Sequence, residues 1–165
     1  MLVPIENLPP NSRIWIYQSN RELSETEVAY IKQELRNFLQ TWQAHNKPLE
    51  SSFQVLHNRF ILIAVNQEKY APSGCAIDKC VNLIQQFEKQ LNVCLTDRTQ
   101  VNYWKDNQIM CVNLRDLKET FSNGILQPTT LVFDITLQTL SEFEKSFQNQ
   151  AQNTWLKKYL SNSPQ

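Results

Sequence analysis

Three side chains of this sequence have the types that nucleophilic catalysis uses: a thiol at Cys75, an imidazole at His45 and a carboxylate at Asp97. A cysteine becomes a nucleophile as its thiolate, a histidine can take its proton, and an acid can orient the histidine. Cys75 follows Ser73-Gly74 at the start of an apolar-periodic stretch. A thiol there would feel the positive end of a helix, which favours the thiolate. Asp78, one turn on, opposes that field. The opposing reading makes Cys75 a small apolar filler, as free cysteines usually are. His45 likewise reads as a cap on the last carbonyls of a helix or as a merely exposed residue. Cys80, Cys94 and Cys111 read as core positions. The four cysteines contain no C-x-x-C pair, so no zinc site and no other cofactor is expected.

Composition removes several classes. The 165 residues carry 16 Lys+Arg and 16 Asp+Glu, so no net charge draws the chain to phosphate backbones and no nucleic-acid partner is expected. There are two glycines, Gly74 and Gly124, and a glycine-built nucleotide loop needs at least two within about six residues. The longest apolar run, Phe60 to Val65, is far short of the ~20 residues of a membrane span. The start MLVPIENLPPNSR shows no basic region followed by an apolar stretch. Together with four unpaired-looking cysteines, this predicts a reducing, cytoplasmic setting without a membrane partner.

The elements that must position these residues follow from periodicity. Arg13 to Tyr17 alternates as a strand. Ser24-Glu-Thr-Glu27 is a capping box for a helix with Val28, Ile31, Leu35, Phe38 and Trp42 on one face, ending near His45 to Pro48. Phe53–His57 and Phe60–Val65 form a hairpin, and FILIAV, apolar on both faces, should be a central strand. A second helix from residue 75 buries Ile77, Cys80, Val81, Ile84, Phe87 and Leu91, and Val93 to Thr96 reads as a fourth strand. The order β-α-β-β-α-β predicts an α+β, ferredoxin-like sheet over residues 1–98. In that topology the first helix ends where the second begins, and the fourth strand ends there too. His45, Cys75, Asp97 and Arg98 are therefore expected on one rim.

Residues 99–165 read as an extension. Two strands flank Asp106-Asn107, Asn113 caps a short helix, Asn123-Gly124 closes it, and Thr130 to Ile135 is a strand. Thr139-x-x-Glu142 and Ser141-x-x-Glu144 are overlapping capping boxes for a last helix carrying Phe143 and Phe147.

Two resemblances come from these motifs. From NSRIWIYQSNR through AHNKPL, NRFILIAVN and SGCAIDK to TTLVFD, the chain resembles a family of uncharacterised bacterial proteins sometimes labelled ABC-transporter ATPases. That family has no known activity to carry over, and the glycine count excludes the ATPase label. The segment YWKDNQIMCVNLRDLKETFSNGILQPTTLVFD is similar to GYF-type domains, which bind proline-rich segments on aromatic platforms. The resemblance implies Tyr103, Trp104 and Phe133 as binding residues and a protein or proline-rich peptide as partner. The Gly-Pro that precedes the helix cap in that family is replaced by Cys111-Val112, and its second tryptophan is absent. Tyr103 and Trp104, adjacent on a strand, must face opposite ways, so at least one belongs to a core.

Overall fold

The computed structural model describes residues 1–160 as a mixed α+β chain in two compact units. The first comprises Met1–Thr96 and Ile135–Phe143; the second comprises Asp97–Asp134 and the chain from Glu144 onward. The boundary anticipated at 98/99 thus falls two residues earlier, and Ile135–Phe143 joins the first unit.

In the first unit, strand β1 (Arg13–Gln18) leads to helix α1 (Glu25–Gln40). The capping box is formed: Ser24 Oγ accepts from Glu27 N, and Glu27 Oε1 accepts from Ser24 N. A short hairpin, β2 (Gln43–Ala44) and β3 (Lys47–Pro48), follows. Then come β4 (Ser51–Leu56), β5 (Phe60–Val65) and helix α2 (Gly74–Leu91). The sheet order is β1-β5-β4, both pairings antiparallel. β5 is the middle strand, and all six of its residues are buried, as its apolar run predicts. Ile61, Ile63 and Val65 pack with Ile31, Leu35 and Leu39 of α1 and Ile84 and Phe87 of α2.

Val93–Thr96 is not a strand. The Glu88 carboxylate accepts from Leu95 N, Thr96 N and Thr96 Oγ1, Cys94 N donates to Asn20 Oδ1 and Val93 N donates to Glu88 O, so none of the segment's amides enters a ladder. The outer side of β1 is met at one end by Gln138 and Thr139: Ile14 N donates to Gln138 O, and Arg13 bridges to Thr139. Arg21 ties the start of α1 to the end of α2. Its guanidinium meets both Glu27 oxygens at 2.9 and 2.7 Å and donates to Leu91 O at 2.8 Å.

The second unit is a four-stranded antiparallel sheet in the order β7-β6-β8-β9, with β6 (Gln100–Lys105), β7 (Gln108–Asn113), β8 (Leu131–Phe133) and β9 (Gln148–Gln150). Asn113 Oδ1 accepts from Arg115 N and caps a 3-10 turn that runs into α3 (Leu117–Ser122). Gly124 follows at φ +82°. Val101, Tyr103, Leu117, Leu126, Val132, Ala151 and Leu156 form the core. Helix α4 (Leu140–Ser146) begins within the first unit's Ile135–Phe143 segment, from a capping box between Thr139 and Glu142, and the overlapping Ser141 box is not used. Phe147 lies past its end.

Packing outweighs capping here. Burying a side chain such as Phe87 contributes about 1.5–3 kcal/mol, and the Ser24 cap about 0.5–2. Phe87→Ala should cost about 3–5 kcal/mol in urea unfolding, and Ser24→Ala should cost less. A larger loss for Ser24→Ala would contradict this ranking. A second expectation concerns acid. The Arg21 guanidinium, with the Ser24 amide, holds the Glu27 carboxyl down to about 2. A carboxyl depressed on folding stabilises above its unfolded value and loses that contribution as pH falls through its folded one. The difference in stability between wild type and Glu27→Ala should therefore shrink from near pH 4.5 toward pH 2; a constant difference would refute the pairing.

Candidate functional site

Cys75 is exposed in the first turn of α2, where Ser73 Oγ accepts from Ala76 N. This corrects the filler reading: Ala76 and Cys80, not Cys75, face the core. Burial pushes the Cys80 thiol up to about 12. The core reading also fails for Cys111, exposed on β7 with its Sγ 2.8 Å from Gln100 Oε1, and for Cys94, which is half-buried and not in a strand.

His45 does not cap a helix. α1 ends at Gln40, and His45 and Asn46 form the two-residue turn of the β2–β3 hairpin, at φ +51° and +63°. Trp42 Nε1 donates to Ala76 O at 2.9 Å, which fixes this hairpin's base beside the first turn of α2. Hairpin and thiol thus belong to one end of the first unit, yet no hydrogen bond joins His45 to Cys75 among the described residues. Asp97 lies in the second unit and accepts from Thr99 N and Thr99 Oγ1 at 2.8 and 2.6 Å. Thr99 holds its carboxyl below the usual range. Without a fourth strand, the topological reason for bringing Asp97 and the exposed Arg98 to the rim is gone.

The aromatic candidates belong to one sheet. The Asp106-Asn107 turn sets Lys105 against Gln108 and fixes the register along β6 and β7. Tyr103 is 6% exposed and sits in the second unit's core. Trp104 takes the other face, half-buried, 5.5 Å from the Phe133 ring, which is itself 5.3 Å from Phe147. Trp104 Nε1 donates to Gln148 Oε1 at 2.8 Å. Trp104 pairs with Ile109, and the Tyr103–Val132 pair sets Leu131 beside it on β8. Ile109, Trp104 and Leu131 make an apolar row across three strands; Ile109 is half-buried and Leu131 is 44% exposed. Sequence reasoning missed Ile109 and Leu131, because which strands are neighbours is not a local property.

Two open clefts lie elsewhere. One of about 630 Å³ is lined by Arg115, Lys118, Glu119, Ser122 and Asn123; another of about 380 Å³ surrounds the Arg21–Glu27 pair. Neither is lined by Cys75, His45, Asp97, Arg98, Tyr103, Trp104 or Phe133. Among the described residues no cluster of His, Cys, Asp and Glu is arranged to hold a metal ion, and no helix is long and apolar enough to cross a membrane.

No family model, curated protein or solved structure matches this chain.

Exposure orders the thiols. Maleimide labelling of the native protein, followed by peptide mass mapping, should modify Cys75 and Cys111 first, Cys94 more slowly and Cys80 only on unfolding. Rapid native labelling of Cys80 would contradict the packing of α2.

Proposed function

We propose that this chain is a non-enzymatic module that binds a protein or proline-rich peptide segment on the Trp104 face of its second sheet. The observation that carries the reading is the Ile109–Trp104–Leu131 row. A tryptophan backed by Phe133 and held at its N–H by Gln148 presents a pre-oriented ring, which lowers the entropy lost on binding. An extended proline-rich segment is itself pre-ordered and suits an aromatic platform. Because the indole N–H is engaged by Gln148, the ligand either stacks on the ring or replaces the Gln148 oxygen with one of its own carbonyls. Tyr103 and Phe133, buried, act as support for the platform.

The finer fold assignments support this reading. A GYF-like second unit accords with a hairpin followed by a capped helix and the TTLVFD strand. A ferredoxin-like first unit accords with the β1-β5-β4 order, in which β1 and β4 run parallel on either side of β5. The resemblance to uncharacterised bacterial proteins is compatible with a binding role, and four free thiols suit a reducing cytoplasm.

The test is a titration of the protein with proline-rich peptides, followed by the Trp104 indole N–H resonance. Trp104→Ala should weaken binding at least tenfold, about 1.4 kcal/mol, while Trp155→Phe should not. Equal affinity of wild type and Trp104→Ala, or no shift of that resonance at submillimolar peptide, would sink the proposal.

The runner-up, a thiol enzyme with Cys75 as nucleophile and His45 as base, is favoured by the exposure of Cys75 at a helix start. It lacks the imidazole–thiol hydrogen bond that activation needs.

A further inference from the structure

β7 is the outermost strand of its sheet. Its six residues, Gln-Ile-Met-Cys-Val-Asn, contain no charge, no proline and no glycine. All six pair with β6 in unbroken register, so there is no bulge. Proteins usually blunt a sheet edge with lysine, proline, a bulge or a covering segment, because an open edge recruits another strand. The first unit's edges are partly covered: β1 meets Gln138 and Thr139, and β4 is met at Ser51 by Met1 to Val3. No described strand or bridge lies beyond β7. Met110 is 41% exposed there.

The hairpin fixes which peptide groups face outward. Its two-residue turn makes Lys105–Gln108 a hydrogen-bonded pair, so alternate residues Gln108, Met110 and Val112 bond inward to β6. The peptide group of Ile109, between them, is directed away from β6.

We propose that β7 pairs antiparallel with β7 of a second copy of this chain, about a two-fold axis perpendicular to the sheet, to give one continuous eight-stranded sheet. Charge selects this occupant. β7 offers no charge for a charged strand to pair with, and another β7 brings none. The chain's formal net charge of zero removes long-range repulsion between copies. Geometry selects it too. The sheet's other edge, β9, has three residues, and a β7–β9 contact would be head-to-tail and open-ended, whereas β7–β7 closes as a dimer. The axis leaves both Trp104 faces on the same side, so the two apolar rows become one surface. A pair of six-residue strands buries less than the roughly 1,200–2,000 Å² of standard interfaces, so the dimer is reversible.

Sedimentation equilibrium from low micromolar to submillimolar protein tests this. Wild type should pass from one to two chain masses as concentration rises. Ile109→Pro removes an outward N–H without touching the β6 ladder, and proline is tolerated at such edge positions. Ile109→Lys adds a gatekeeper charge. Both variants should remain monomeric over the range, with wild-type far-UV circular dichroism. A wild type that stays monomeric throughout, or a dimer that persists in both variants, overturns the proposal. So does a monomer that instead pairs a synthetic uncharged strand peptide onto β7, since the occupant would then be a foreign strand.

Discussion

The two-residue turn at Asp106 and Asn107 is the constraint on which the second unit rests. Both residues have positive φ, +50° and +63°, which matches the twist of the strands it joins. That turn leaves no freedom in the β6–β7 register. A slip of one residue would exchange every side chain between faces. Tyr103 would leave the core it shares with Leu117 and Leu156, and Trp104 would enter it. The same register decides which peptide groups of β7 look inward. Core, aromatic row and sheet edge are therefore three consequences of one turn.

The first unit repeats the device in a chain with almost no glycine. Among the described residues, seven other than glycine have positive φ, and four of them are asparagines: Asn46, Asn58, Asn92 and Asn107. Asparagine tolerates this region better than most side chains. Some of the chain's 16 asparagines thus have a backbone function, at these four sites. Both histidines of the chain, His45 and His57, also sit in hairpin turns at positive φ. Their placement is explained by turn geometry.

Local chemistry made much of the architecture legible. The Ser24 and Thr139 capping boxes, the Asn113 cap, the left-handed Gly124 and the double-sided burial of β5 all follow from residues within a few positions of one another. The opposed directions of Tyr103 and Trp104 follow from strand geometry alone. What was not legible depends on partners distant in sequence or in competition with the backbone. Val93–Thr96 has the composition of a strand, but the side chains of Glu88 and Asn20 capture the amides of Cys94, Leu95 and Thr96. Cys111 has a core-like setting in sequence and is exposed on β7, the outermost strand of the described sheet. The rim expected to gather His45, Cys75 and Asp97 depended on that missing strand, so one local competition removed the topological argument for their meeting.

The remaining aromatic row has a different standing, because its members do not depend on one another for chemistry. A catalytic triad fails when one hydrogen bond is absent, since proton transfer needs each donor and acceptor in reach. A binding surface tolerates partial exposure, provided its central ring is held still and its neighbours exclude water. Trp104 meets the first condition through Gln148 and Phe133, and Ile109 and Leu131 stand where the second is met. The unusual feature is that this surface runs to an edge strand with no charge to stop another strand from joining it. An apolar row on an interior strand and an unguarded edge are each ordinary liabilities of a sheet; sharing Ile109, they form one continuous surface, and that continuity is the physical reason to read them as recognition rather than as defects of packing.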